Sequence, residues 1–144
     1  MKAVVDTCIV LDALQCRGPF CHDAEAVFLL CANRQAEGFL TAKAVTDIAY
    51  LIHRHTHSAP ETKKILEKLC TLFSVLDTAA ADIRNALLSE TFDFEDAVMI
   101  ETAVRAGADC IVTRNARDYT HSPLPVYAPD AFVRLFDTAP RVSP

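Results

Sequence analysis

Nothing in the 144 residues approaches the roughly 18 consecutive apolar residues that a membrane-spanning helix needs. Internal repeats, low-complexity tracts and linker-like stretches are also missing, so a single domain with its own core is expected. Glycine is scarce, with three residues, and Gly18, Gly38 and Gly107 each read as a helix breaker or stop. Positive charge is in short supply: 14 Lys and Arg stand against 19 Asp and Glu, a net charge of −5. That balance argues against a protein that grips nucleic acid by overall charge, and any hold on a phosphate backbone must come from a local basic patch. The six cysteines, Cys8, Cys16, Cys21, Cys31, Cys70 and Cys110, form no CxxC pair. Several fall inside apolar helix or strand patterns, so reduced thiols packed as small hydrophobes are expected, as in the cytoplasm. Cys16, Cys21 and His22 lack a fourth zinc ligand at a recognisable spacing. The apolar run between Met1 and Asp6 is too short for a secretory signal and reads as a first strand.

What is present is the make-up of an ordinary globular protein, 51% apolar and 23% charged. The β-branched run over 2–6 predicts a buried strand, followed by a short helical stretch over 7–15 that Arg17-Gly18-Pro19 breaks. Helical spacing of Ala24, Val27, Phe28, Leu30 and Cys31 predicts a helix over 22–36, with Gly38 as its stop and Phe39-Leu40 in a second strand. Residues 43–55 carry a buried stripe of Val45, Ile48, Ala49, Leu51 and Ile52, and Ser58-Ala59-Pro60-Glu61 opens a helix to about Thr71. A third strand is expected over 73–76, then a helix capped by Asp77 or Thr78 and running to about Leu88. Asp93 caps the next helix, which Gly107 ends. The clearest buried strand is 108–113; an edge strand at 125–127 and a helix from Pro129 to about Phe136 complete the domain. The order β-α-α-β-α-α-β-α-α-β-β-α predicts an α/β fold, a three-layer α/β/α sandwich around a central parallel sheet. The expected domain spans 1–138, with a loose tail over 139–144.

Four acidic points stand out: Asp6, Asp47, Glu95-Asp96 and Asn115-x-x-Asp118. A parallel sheet gathers such points at the carboxyl edge of its strands. Carboxylates do not crowd there without a cation, because mutual repulsion raises their pKa values or splays them apart. Asp6 ends an otherwise apolar strand, although Asp is also a preferred helix cap for the residues that follow. Asp47 lies on a helix beside a buried stripe, on one polar strip with Lys43, Tyr50 and Arg54; a solvated Lys43–Asp47 pair explains it equally well. Asp93 with an acid three residues on resembles a capping box, yet three carboxylates in four residues exceed what a cap uses. After the best strand come Thr113, Arg114, Asn115, Arg117 and Asp118. They read either as a polar turn or as groups that hold a phosphate, with the two arginines pairing to it. His53, His55 and His57 read as a solvated helix end, Cys8 as packing, and Phe132, Leu135 and Phe136 as core or dimer contacts.

Taken in order, Val4-Val5-Asp6-Thr7, Thr46-Asp47, Phe94-Glu95-Asp96-Ala97, Cys110-Ile111-Val112-Thr113-Arg114-Asn115 and Arg117-Asp118-Tyr119 resemble a PIN-domain protein of the VapC toxin type. The tail Pro125-Val126-Tyr127-Ala128-Pro129-Asp130-Ala131-Phe132 fits as well, so the likeness covers nearly the whole chain. The resemblance implies an α/β/α sandwich and a metal-dependent ribonuclease, usually homodimeric and often paired with an antitoxin protein. It implies Mg²⁺ or Mn²⁺ held by Asp6, Asp47, Asp96 and Asp118, with Asn115 taking part in catalysis. It also implies RNA contacts from Thr7, Thr113, Arg114 and Arg117. Two positions depart from the pattern. Asp47 stands where Glu is more usual and is one methylene shorter. Asn115 stands where many members have the fourth acid, and Asp118 would compensate about one helical turn on. These departures motivate a second reading, a degenerate scaffold that binds RNA or a protein partner without cutting. A phosphotransfer enzyme fits less well, since haloacid-dehalogenase phosphatases need a second Asp where this chain has Cys8.

Overall fold

The computed structural model describes residues 1–137. Five strands form one sheet in the order β3-β2-β1-β4-β5, and every neighbouring pair is parallel. They are β1 (Lys2–Val5), β2 (Glu37–Thr41), β3 (Ser74–Leu76), β4 (Cys110–Val112) and β5 (Val126–Tyr127). The helices are α1 (Thr7–Leu14), α2 (Cys21–Ala32), α3 (Ala42–Thr56), α4 (Ala59–Leu72), α5 (Ala80–Leu88), α6 (Phe94–Arg105) and α7 (Pro129–Arg134). The order of elements is the one the sequence predicts. The expected boundary at 138 and the tail at 139–144 lie outside the described residues.

The two-residue period of a strand sorts β1 between two cores. Ala3 and Val5 pack with α1, α2, α3, α4 and α7, while Val4 packs with Met99, Ile100 and Ala103 of α6. Ile48, from the predicted stripe of α3, is fully buried in the first core, a contribution of about 2 kcal/mol. α5 lies along α6 through Asp82, which is 1% exposed. Its carboxylate accepts from Arg105 Nε at 2.8 Å, Arg105 Nη2 at 3.0 Å, Thr102 Oγ1 at 3.2 Å and the Ala79 N–H at 2.7 Å. The Arg105 guanidinium is the main reason its pKa lies below the usual carboxylate value.

Several expected boundaries shift for local reasons. α2 starts at Cys21 and stops at Ala32, because Arg34 turns left-handed with φ 58°. α5 is capped at Ala79 rather than at Asp77 or Thr78, with Asp82 bonding back to the cap N–H. β4 is trimmed to 110–112 and α7 ends at Arg134. Asp93 does cap α6, accepting from the Asp96 N–H at 3.0 Å, and Ser58 caps α4, accepting from the Glu61 N–H at 3.2 Å. Gly107 ends α6 with φ 72°, a conformation that favours glycine.

Gly38 does not stop a helix. It lies inside β2, where a Cβ would sit 2.6 Å from Phe73 Cδ1 and 2.7 Å from Cys31 Sγ. Phe73 is fully buried and packs edge-on against Phe28 at 5.2 Å, so its ring has nowhere to retreat. Gly38→Ala is therefore expected to destabilise the fold by about 2 kcal/mol. A urea melt checks this: the midpoint should fall with the slope unchanged, and an unmoved midpoint would show that the core yields freely.

Candidate active site

β1 has β2 on one side and β4 on the other, so the chain order reverses at its carboxyl end. Ligands of open parallel sheets bind in the crevice at such a switch point. Asp6 stands there. Its N–H extends the ladder to the Val112 carbonyl at 2.9 Å, and its position caps α1, yet its side chain makes no capping bond. The carboxylate is turned instead to the crevice. Oδ2 accepts from Thr113 Oγ1 at 2.8 Å and lies 3.4 Å from Tyr119 Oη and 3.5 Å from Cys8 Sγ. Thr113 is fully buried, and its Oγ1 also accepts from the Asn115 N–H at 3.1 Å.

Asp96 reaches the same point from the first turn of α6. Tyr119, 2% exposed on a short 3-10 turn over Ala116–Tyr119, donates its hydroxyl to Asp96 Oδ1 at 2.9 Å. A phenol has one proton, and the shorter contact claims it; Asp6 is the longer alternative. Burial and the nearby charges of Asp6 and Asp96 push the phenol far above its ordinary pKa, so Tyr119 stays a neutral donor. Burial likewise pushes Asp96 up to about 6; the Tyr119 hydrogen bond opposes the rise, and Asp93, Asp6 and Asp118 add to it.

The opposite wall comes from α3. Lys43 Nζ lies 2.5 Å from Asp47 Oδ2 and 3.0 Å from Glu95 Oε1. Burial alone would lower its pKa, but the bonds to Asp47 and Glu95 outweigh that and raise it. Asp6, Asp47 and Asp96 thus line one cleft of about 290 Å³, together with Thr7, Thr41, Lys43, Tyr50, Glu95 and Tyr119. Two ties cross it: Tyr119 between Asp6 and Asp96, and Lys43 between Asp47 and Glu95.

The remaining residues singled out in the sequence are elsewhere. Asn115, Arg117 and Asp118 are exposed and line a separate shallow depression, although the charge of Asp118 still acts on Asp96. Arg114 also borders that depression, but its guanidinium is engaged within the fold. Its Nε bonds Asp12 Oδ2 at 2.8 Å, and its guanidinium lies over the Phe20 ring at 4.3 Å. Thr113 is occupied with Asp6. Sequence reasoning did not single out Tyr119, Lys43 or Thr41 as site residues. Tyr119 closes the motif it shares with Asp118, and Lys43 lies one helical turn before Asp47, which are the available signals. His53, His55 and His57 are exposed at the end of α3, and no histidine lines the cleft. Burial pushes the Cys8 thiol up to about 11, with the Asp6 charge adding to it, which suits packing rather than nucleophilic attack.

The donor chemistry fits a hard divalent cation. The cleft offers carboxylate and hydroxyl oxygens and no thiol or imidazole. Asp96, held near 6, marks a point where positive charge is wanted. Among the described residues, however, no three cleft acids bring their ligand oxygens within 4.8 Å of one another, while Tyr119 and Lys43 already bond Asp6, Asp47, Asp96 and Glu95.

The raised pKa carries a stability consequence. Asp96 titrates near 6 in the fold and near 3.8 when free, so between these values the folded chain binds the proton more tightly. In metal-free buffer this stabilisation is complete below the unfolded value and is lost as pH rises through about 6. Asp96→Asn should flatten that part of the profile. Urea melts at closely spaced pH values, wild type against variant, measure it, and parallel profiles would contradict the assignment.

The sequence model of the PIN domain matches residues 2–117. The chain belongs to the PIN-domain family. No curated protein matches it. Solved structures share its fold. VapBC2 from Rickettsia felis, bound to a DNA fragment from its promoter, superposes with a TM-score of 0.65 at 15% identity, over 89% of this chain and 98% of that one. A toxin–antitoxin complex from Klebsiella pneumoniae gives a TM-score of 0.65 at 17% identity, over 88% and 97%. VapC20 from Mycobacterium tuberculosis, described as a sarcin–ricin loop cleaving toxin, gives 0.59 at 16% identity, over 76% and 86%. At these identities the likeness is one of fold. This PIN domain has no helix among the described residues long and apolar enough to cross a membrane.

Proposed function

We propose that this PIN domain is a Mg²⁺- or Mn²⁺-dependent endoribonuclease that serves in the cytoplasm as the toxin of a toxin–antitoxin pair. The observation that carries this reading is the meeting of Asp6 and Asp96 across Tyr119 at the switch point of the sheet, with Asp47 on the facing wall. The toxin–antitoxin assemblies among the similar folds support an antitoxin partner, and VapC20 supports RNA as the substrate. A homodimer is expected from the family resemblance.

In this reading Asp6 and Asp96 would hold the cation, with Asp47, bonded to Lys43 on the facing wall, as a third carboxylate. Bound there, a divalent cation would supply an activated water and polarise a phosphoryl oxygen. Thr113 orients Asp6, and Tyr119 holds Asp96 while shielding it from Asp6. Thr7 lines the cleft, and Arg117 stands exposed beyond it; both serve as RNA contacts. Asp118 and Asn115 act from the rim, Asp118 through its charge on Asp96. With no histidine in the cleft, a neighbouring carboxylate would be the group to accept the proton of an attacking water.

The direct test is RNA cleavage by the purified chain after chelation and after Mn²⁺ or Mg²⁺ is restored. Cleavage should vanish with chelator and return with metal; cleavage indifferent to both excludes the mechanism. Cation binding must also displace the Asp96 proton below about pH 6, so calorimetric Mn²⁺ affinity should fall as pH drops through that value.

One observation favours the second reading, a scaffold that binds without cutting. Lys43 already pairs with both Asp47 and Glu95, and Asn115 brings no charge. The same calorimetry separates the two, because a non-cutting scaffold of this kind should take up little or no Mn²⁺ at any pH.

A further inference from the structure

A second cluster of ligand-bearing side chains lies away from the acidic cleft. α1 is followed by a reversal in which Cys16 takes a positive φ of 47°, and Cys21 opens α2 with Glu25 one turn later. The two sulfurs and a Glu25 carboxylate oxygen all lie within 4.8 Å of one another, and Cys21 Sγ donates to Glu25 Oε1 at 3.4 Å. Among the described residues no other trio of His, Cys, Asp or Glu meets that spacing, the cleft acids included. Two thiolates on a tetrahedral zinc ion stand roughly 3.8 Å apart, so a contraction of about 1 Å at most closes the set. His22, next to Cys21 in sequence, is not part of the trio; Glu25 takes the third place.

The loop between the thiols is held. The Arg17 N–H bonds the Asp12 carbonyl at 3.1 Å, the Phe20 N–H bonds the Arg17 carbonyl at 2.8 Å, and the Phe20 ring is covered by Arg114. The thiols therefore stand together before any ion arrives, which limits the ordering cost of binding. Cys16 is exposed, leaving a fourth coordination position open to water. Two sulfurs and one oxygen prefer a zinc-like ion over the hard cations suited to the cleft.

We propose that Cys16, Cys21 and Glu25 form a surface site for one thiophilic divalent cation, zinc by its chemistry, that pins the α1–α2 loop to the first turn of α2. The site is independent of the nuclease reading. Binding releases the two thiol protons as the sulfurs become thiolates.

Cobalt is the probe. Added to the reduced full chain, Co²⁺ should produce a sulfur-to-cobalt charge-transfer band that saturates at one ion per chain and is abolished by added Zn²⁺. Cys16→Ser and Cys21→Ser should each lose the band while keeping the wild-type circular dichroism. Glu25→Gln should retain it with severalfold weaker affinity, and Asp96→Asn should leave it unchanged. A reduced wild-type protein without the band overturns the proposal. So does a band that survives in the Cys16→Ser/Cys21→Ser double variant, or one that Asp96→Asn removes.

Discussion

On the proposed nuclease reading, Asp96→Asn is expected to leave this PIN domain folded while lowering Mn²⁺-dependent RNA cleavage at least about a thousandfold, the equivalent of ~4 kcal/mol of transition-state stabilisation. Asparagine keeps the side-chain oxygen that accepts the Tyr119 hydroxyl and keeps the backbone N–H that Asp93 caps. Only the charge is lost. That charge is disfavoured in the metal-free fold, where burial, Asp93, Asp6 and Asp118 all push Asp96 toward its protonated form. The variant should therefore be no less stable than the wild type at neutral pH, and more stable if anything. Loss of activity together with retained or increased stability is the signature of a carboxylate kept for a cation rather than for the fold. Single-turnover cleavage of labelled RNA, with urea melts on the same preparations, reads both quantities. Cleavage within tenfold of wild type would remove Asp96 from the site. A large loss of stability would mean that its role is structural.

The second large effect concerns Arg114, whose sequence position suggests a phosphate contact. Its guanidinium is committed to Asp12, which is 1% exposed, through bonds of 2.8 Å and 3.4 Å, and to the face of Phe20. Arg114→Ala would leave a buried carboxylate without its partner, which costs about 3 kcal/mol. For a chain of this length that corresponds to a fall in melting temperature of roughly 10 °C. An Arg114 that served only RNA would instead leave melting untouched and weaken substrate binding. Thermal melts beside RNA-binding titrations distinguish the cases. Asp12→Asn/Arg114→Met should recover much of the lost stability, because removing both charges leaves no ion stranded.

These expectations show where local reading was sufficient. Periodicity located β1, Ile48 and Ile52 of the α3 stripe (Val45, Ala49 and Leu51 are only half-buried) and the caps at Ser58 and Asp93, because strand alternation, helix faces and capping bonds depend on neighbours a few residues away. It erred at Gly38. A glycine needed for close approach to Phe73 and Cys31 looks, in one dimension, like a glycine that ends a helix. Asp6 was visible because a parallel sheet brings its strand ends to one edge, Asp47 because it lies on a helix beside buried positions, and Asp96 because it stands among three carboxylates at a helix start. The partners that hold them were not. Tyr119 and Thr113 reach Asp6 from the far end of the chain, and Lys43 serves Asp47 along its own helix and Glu95 across the cleft.

By itself the sequence determined the order of elements, the parallel layered architecture and the set of carboxylates that the cleft draws on, since each follows from short-range spacing and strand connectivity. Only the tertiary structure decided which polar groups meet: Arg114 with buried Asp12, Tyr119 between two acids, Cys16 with Cys21 and Glu25. The reason is physical. A charged or hydrogen-bonding side chain, once out of water, must find a partner, and the nearest one in space need not be near in sequence.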